Sequence, residues 1–198
     1  MEFVESNMKF SCPDNDSFQI EKSEIMSDYD SLKACEVFVM INGKLSLIEA
    51  KSSSPQPKNK EKFDEYIADI GQKFIDTLLV FNAIMLERHD KGYRASLPGN
   101  IQAQNVSQLR YGLYLIVHGN ETEWMIPIQE ALKNYLRHVL NAWNIPDVNV
   151  YALNHEDALA KGLIMQYLPK DVLKQFKAEG LKDQALLDRV EQWFKESH

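Results

Sequence analysis

The clearest hydrophobic pattern in the chain is a pair of short apolar runs on either side of an Asn-Gly dipeptide. The runs cover residues 37–41 and 44–48, and Asn42 and Gly43 separate them. β-Branched and apolar runs around Asn-Gly are typical of a β-hairpin, because both residues tolerate the positive φ angles of a type I′ turn. The pattern therefore predicts two antiparallel strands with Met40 facing Leu45.

Downstream of the hairpin, the spacing of apolar residues alternates between helical and extended patterns. A three- and four-residue spacing predicts helices, and short continuous apolar runs predict buried strands. The expected elements are a helix over 61–89, a strand over 109–117, a helix that starts at Pro127 as its first residue, a strand over 148–153, and helices from 155 onward. We expect an α/β fold of one domain: a central mixed sheet flanked by helices over about 18–160, then a helical C-terminal extension over about 161–198.

The hairpin register brings charged residues together at one end of the two strands. Continued from the turn, it places Glu36 opposite Glu49, and Lys51 lies on the same face because side chains alternate along a strand. Two carboxylates that face each other repel, so a positive group is expected nearby. A hard divalent cation such as Mg²⁺, or Mn²⁺ in its place, binds to one or two carboxylates and retains several waters. The alternative is a partly buried ion network without a metal.

These residues resemble a known family. The segment 39–51, which ends in Glu49-Ala50-Lys51 and is preceded by the acid Glu36, resembles the PD-(D/E)XK nuclease superfamily. The resemblance implies a restriction-endonuclease-like core and hydrolysis of phosphodiester bonds, most readily in DNA. This chain departs from the family in one respect, since Glu36 stands where the family usually has an aspartate; Asp28 and Asp30 are fallback acids.

The resemblance also implies roles for individual residues. Glu36 and Glu49 would bind the metal together with the backbone carbonyl of Ala50, and Lys51 would be the catalytic lysine beside Glu36 and Glu49. The family often adds an upstream glutamate, and either Glu21 or Glu24 matches that position. Three lysines that follow the motif, Lys58, Lys60 and Lys62, are candidate phosphate contacts, although a solvated helix start is the alternative.

Composition and charge limit the remaining possibilities. The net charge of −7 argues against a protein whose whole surface binds nucleic acid. The chain has no apolar run long enough to span a membrane, no signal-peptide pattern at its N-terminus and only two cysteines, so we expect a cytoplasmic protein with reduced thiols.

Two functional hypotheses follow. The first is a Mg²⁺- or Mn²⁺-dependent nuclease that acts on DNA, in the setting of an anti-phage defence or restriction system. The second is a catalytically idle subunit that keeps the fold and acts as an interaction module in a nucleic-acid-processing or defence complex. The apolar stripe on the last helix would complete the core or mediate contact with a protein partner or a second copy; it comprises Leu181, Leu186, Leu187, Val190, Trp193 and Phe194.

Overall fold

The computed structural model of the chain describes residues 1–29, 31–89 and 91–197. Its strands are β1 (Glu2–Glu5), β2 (Met8–Ser11), β3 (Ser17–Phe18), β4 (Val37–Ile41), β5 (Lys44–Lys51), β6 (Arg110–Val117), β7 (Val150–Asn154) and β8 (Gln166–Tyr167). Its α-helices are α1 (Lys60–Met85), α2 (Tyr93–Ser96), α3 (Gly99–Gln102), α4 (Thr122–Ala142), α5 (His155–Ala160), α6 (Lys170–Ala178) and α7 (Asp183–Glu196).

The strands form two sheets. The larger sheet has five strands in the order β3-β4-β5-β6-β7. Strands β3, β4 and β5 pair antiparallel, whereas β5, β6 and β7 run parallel, with helices in the connections. The predicted α/β class and mixed sheet are therefore confirmed. The smaller sheet, in the order β1-β2-β8, was not expected from the sequence.

The hairpin of β4 and β5 has the predicted register. Met40 pairs with Leu45, and the backbone pairing extends from the turn to Val37 opposite Ile48. Asn42 and Gly43 have φ angles of 50° and 73°, as a type I′ turn requires. The pairing fixes which side chains of β5 face each side of the sheet.

The two faces of the large sheet are covered by different elements. One face, which carries Leu45 and Leu47 of β5, packs against α1 and α4 in the main core. The opposite face, which carries Ile48 and Ala50, packs against the small sheet and α5 in a second cluster. Because β5 is central and covered on both sides, any charged side chain in its interior must be buried with a partner.

Three predicted boundaries were wrong. The helix expected over 61–89 ends at Met85. Pro127 does not begin its helix but lies inside α4, which starts at Thr122. The buried side chain of Met125 extends the apolar face ahead of the proline, so packing in the core outweighs the backbone hydrogen bond that proline cannot donate. Strand β7, expected from residue 148, starts at Val150 because Asp147–Asn149 forms a 3₁₀ turn after Pro146.

The sequence predicts that the C-terminal segment is wholly helical, and this prediction is wrong. Strand β8 pairs antiparallel with β2, so the segment joins the N-terminal hairpin. Helices α6 and α7 then enclose a small core of their own with Val190 and Phe194 buried. The apolar stripe of the last helix is thus largely used within the chain, while Leu187 remains 40% exposed.

Both cysteines, Cys12 and Cys35, are buried and unpaired with each other. Within the described part of the chain, no helix is both long and apolar enough to cross a membrane.

The contact between α1 and α4 depends on a glycine. A Cβ atom built on Gly71 would overlap the ring of Tyr135. We expect Gly71→Ala to lower the free energy of unfolding by about 1–2 kcal/mol. The destabilisation caused by overpacking should exceed the stabilisation that comes from the higher helix propensity of alanine. Urea denaturation measures the effect of Gly71→Ala in the wild-type protein and in Tyr135→Ala, where the ring that it would overlap is absent. Equal effects in both backgrounds would contradict the overlap.

Candidate active site

The predicted Glu-X-Lys motif lies at the carboxyl end of β5. Glu49 is fully buried on the α1-facing side of the sheet, whereas Lys51, the last residue of the strand, remains partly exposed. The Nζ atom of Lys51 lies 2.8 Å from Oε1 of Glu49. Glu36, immediately before β4, is only 4% exposed. The structure therefore brings Glu36, Glu49 and Lys51 to one end of the hairpin, as the register predicted.

A second lysine, which sequence reasoning missed, lies among these carboxylates. Lys73 is on α1, and its side chain is 11% exposed. Its Nζ atom is 2.9 Å from Oε1 of Glu49, 2.9 Å from Oε1 of Glu21 and 4.0 Å from Oε1 of Glu36. We refer to Glu21, Glu36, Glu49, Lys51 and Lys73 together as the carboxylate cluster.

The structure distinguishes the two upstream glutamates. Glu21 belongs to the carboxylate cluster through its contact with Lys73 and a side-chain hydrogen bond with Glu36. Glu24 is exposed at the start of a 3₁₀ helix and does not join the cluster. Of the fallback acids, Asp28 pairs with Lys91 at 2.7 Å, and Asp30 lies outside the described residues.

The protonation of the cluster follows from burial and its internal contacts. Burial, the hydrogen bond with Glu21 and the nearby Glu49 raise the pKa of Glu36 to about 9. Burial also raises the pKa of Glu21, but the hydrogen bond with Glu36 and the ammonium of Lys73 outweigh it and leave that pKa lowered. At neutral pH Glu36 is therefore the protonated partner that donates to Glu21.

The pKa of Lys73 is likewise set by burial and by its ion pairs, which act in opposite directions. Burial lowers the pKa of Lys73, but Glu49 and Glu21 outweigh burial and leave it above its usual value. Burial leaves the pKa of Glu49 above its usual value, although the two lysines oppose that rise. The carboxylates of Glu21 and Glu49 contact the ammonium groups of Lys51 and Lys73, so two negative charges would be balanced by two positive ones and the cluster would be close to neutral.

Some oxygen atoms of the carboxylate cluster are suitable ligands for a divalent cation. Oε2 of Glu36 and Oε2 of Glu49 are buried and have no hydrogen-bond partner among the described residues, which is costly unless another group satisfies them. The carbonyl of Ala50 accepts a hydrogen bond of 3.1 Å from the hydroxyl of Ser6. In the described ranges, no group of three or more His, Cys, Asp and Glu side chains is arranged to hold a metal ion. The oxygens therefore fit a cation only if Lys73 withdraws from between them.

The three candidate phosphate-binding lysines take no part in the ion pairs of the cluster among the described residues. Lys58, Lys60 and Lys62 are exposed around the start of α1, after the loop that follows β5. This position is compatible with either of the two predictions, phosphate contact or a solvated helix start.

The position of Lys73 could have been suspected from the helix pattern. Tyr66, Ile70 and Lys73 are spaced by four and three residues, which places the lysine on the same face as apolar neighbours. A lysine on a buried helix face needs an acidic partner. The sequence gives no indication that this partner is the motif of β5, because that contact joins residues distant in the chain.

Comparisons of the chain with protein-family models, with curated proteins and with solved structures found no match. The resemblance to the nuclease superfamily therefore depends on the sequence motif alone.

The raised pKa of Glu36 predicts a pH-dependent stability. The unfolded carboxyl ionises near pH 4.5 and the folded one only near pH 9, so the folded state loses stability as the pH rises through this window. In metal-free buffer with a chelator, the free energy of unfolding of Glu36→Gln should fall less between low and high pH than that of the wild type. We expect the difference to be at least about 1 kcal/mol, which corresponds to a shift of one pKa unit. Urea denaturation at pH 5 and pH 8.5 measures it. An unchanged pH dependence would show that Glu36 is not the protonated member.

Proposed function

We propose that the chain is a divalent-metal-dependent nuclease with a restriction-endonuclease-like core, which hydrolyses phosphodiester bonds, most readily in DNA. The observation that carries the proposal is the convergence of Glu36, Glu49 and Lys51 at the carboxyl end of β5. Two buried carboxylate oxygens there lack partners. The edge formed by the carboxyl ends of parallel strands is also a common position for ligand sites in open α/β sheets.

Mg²⁺ or Mn²⁺ would be held by Glu36 and Glu49, with the carbonyl of Ala50 as a further ligand and Glu21 as a nearby carboxylate. When bound, such a cation polarises the phosphate and lowers the pKa of a bound water. For Ala50 to contribute, the hydroxyl of Ser6 must share or release its carbonyl. Glu36 must also release its proton, and a nearby cation would favour that release.

Lys51 is placed to contact the substrate. Its side chain is 27% exposed and is held at 2.8 Å from Glu49, so the ammonium lies at the boundary between the buried cluster and solvent. There it would donate to a phosphate oxygen, orient the attacking water and stabilise the negative charge that develops during hydrolysis. Lys73, buried deeper, would hold Glu49 and Glu21 in position before a cation binds and would then withdraw from Glu49.

The surface around Lys51 supports a contact with DNA. Lys58, Lys60 and Lys62 are exposed around the start of α1 and would contact phosphates of the bound strand. With a net charge of −7, the chain offers DNA only a local basic surface. Cleavage should therefore weaken steeply as the salt concentration rises.

One observation favours the second function, an idle subunit that acts as an interaction module. The ammonium of Lys73 already lies within 4.0 Å of three carboxylates, and the cluster is near neutral without a metal. Such an ion network would serve to hold β4, β5 and α1 together. The two functions differ in whether a divalent cation displaces Lys73.

A cleavage assay tests the proposed function. The purified chain is incubated with supercoiled plasmid, with single-stranded DNA and with single-stranded RNA, in Mg²⁺, in Mn²⁺ and in a chelator. We expect cleavage of at least one DNA substrate with either metal and none with the chelator. Absence of cleavage under every condition would contradict the nuclease and favour the idle subunit.

A further inference from the structure

A cleft lies at the opposite end of the large sheet from the carboxylate cluster. It forms where β5 and β6 begin, beside the end of α4, and has a volume of about 680 Å³, which is within the range of ordinary ligand sites. Its walls include Lys44, Arg110, Trp143, Asn144 and Asn149. None of the residues that line it belongs to the proposed nuclease site.

The charges in this cleft point to an anionic ligand. Lys44 and Arg110 are direct partners in the parallel pairing of β5 and β6, so their side chains leave adjacent strands side by side. Among the residues that the structure describes, no aspartate or glutamate lines the cleft, although the whole chain carries seven more acidic than basic residues. Within the described ranges, neither Lys44 nor Arg110 forms an ion pair with a carboxylate.

The lysine is held in place by a neutral partner. The Nζ atom of Lys44 donates a hydrogen bond of 2.7 Å to Oδ1 of Asn149, and Asn149 is only 6% exposed. An amide fixes the position of the ammonium without neutralising its charge. The arrangement thus leaves two adjacent cations available, which suits the charge and the several acceptor oxygens of a phosphate.

An aromatic side chain lines the same cleft. Trp143, at the end of α4, is partly buried and contacts the ring of Tyr111 edge to face, with centroids 6.1 Å apart. Tyr111 is itself anchored by a hydrogen bond of 3.1 Å from its hydroxyl to Asn82. The indole therefore has a fixed position from which to contact a flat ring.

We propose that this cleft binds a nucleoside monophosphate, with the phosphate at Lys44 and Arg110 and the base against Trp143. The side-chain amide of Asn144 lies in the same wall and offers both donor and acceptor groups to a base edge. The cleft volume falls in the range of small-molecule sites. A bounded cleft on an acidic protein favours a single nucleotide over an extended nucleic acid strand.

Isothermal titration calorimetry with AMP at low salt tests the site, with adenosine and inorganic phosphate as separate arms. We expect saturable binding of AMP and at least about tenfold weaker binding of either component alone, since each lacks one of the two contacts. Arg110→Gln and Trp143→Leu should each weaken AMP binding at least about fivefold. Arg110 is exposed and has no carboxylate partner in the described chain, so its replacement leaves the fold intact.

Arg137→Gln is the matched control, because Arg137 is exposed on α4 outside the cleft and the substitution makes the same change in charge. It should bind AMP as the wild type does. No saturable binding of AMP, equal affinity in Arg110→Gln and wild type, or phosphate binding as tight as that of AMP would each overturn the proposal.

Discussion

Lys51→Ala is expected to lower the rate of metal-dependent DNA cleavage at least about 100-fold, the effect of removing one group that stabilises developing charge. The fold should be retained, because the side chain is partly exposed and Glu49 keeps its contact of 2.9 Å with Lys73. Rates measured in Mg²⁺ with saturating plasmid, together with thermal unfolding of each variant, separate lost catalysis from lost structure.

Matched variants make this result interpretable. Lys195→Ala removes an exposed lysine of α7 and should leave the rate within about twofold of the wild type, since surface changes away from a site have little effect. Glu49→Gln should lower cleavage by at least the same factor as Lys51→Ala, because it removes a proposed metal ligand. Unaltered cleavage by Lys51→Ala would contradict the proposed role of this lysine.

Lys73→Met is expected to have the largest effect on stability. In metal-free buffer it should lower the free energy of unfolding by about 3 kcal/mol, because the buried carboxylate of Glu49 and the partly exposed carboxylate of Glu21 lose the ammonium between them. Lys51 still partners Glu49, which keeps the loss at the lower end of the range for broken buried ion pairs. Urea denaturation with a chelator measures the effect.

The same variant should respond more strongly to metal. At one concentration of Mn²⁺, the unfolding midpoint of Lys73→Met should rise by more than that of the wild type, because no ammonium competes for the carboxylate oxygens. An idle cluster predicts the same loss of stability without any response to Mn²⁺.

Lys33→Met is the control for this pair of measurements. It removes a lysine that contacts Asp69 at the surface with a side chain 55% exposed. It should cost less than about 1 kcal/mol, as is usual for exposed ion pairs. If Lys73→Met were as stable as Lys33→Met, the carboxylate cluster would not depend on Lys73.

Local signals were enough to predict the centre of the fold. The Asn-Gly turn fixes the register of β4 and β5, and that register placed Glu36 and Glu49 at one end before any contact was known. The parallel strands β6 and β7 followed from continuous apolar runs. These elements were predictable because turn chemistry and strand hydrophobicity act over a few residues.

The remainder depends on contacts between distant parts of the chain. The contact of Lys73 with Glu49 arises only when α1 packs on the sheet, and the choice of Glu21 over Glu24 depends on the path of the chain before β4. The small sheet joins β2 to β8 from opposite ends of the sequence. Neither local propensity nor spacing specifies such pairings.

A crystal structure at saturating Mn²⁺ would show whether the carboxylate cluster is a divalent-cation site. We expect an anomalous difference peak bound by the carboxylates of Glu36 and Glu49, with Lys73 moved away from Glu49. Crystals that show no peak there, with Lys73 still in contact with Glu49, would contradict the metal site and with it the proposed nuclease.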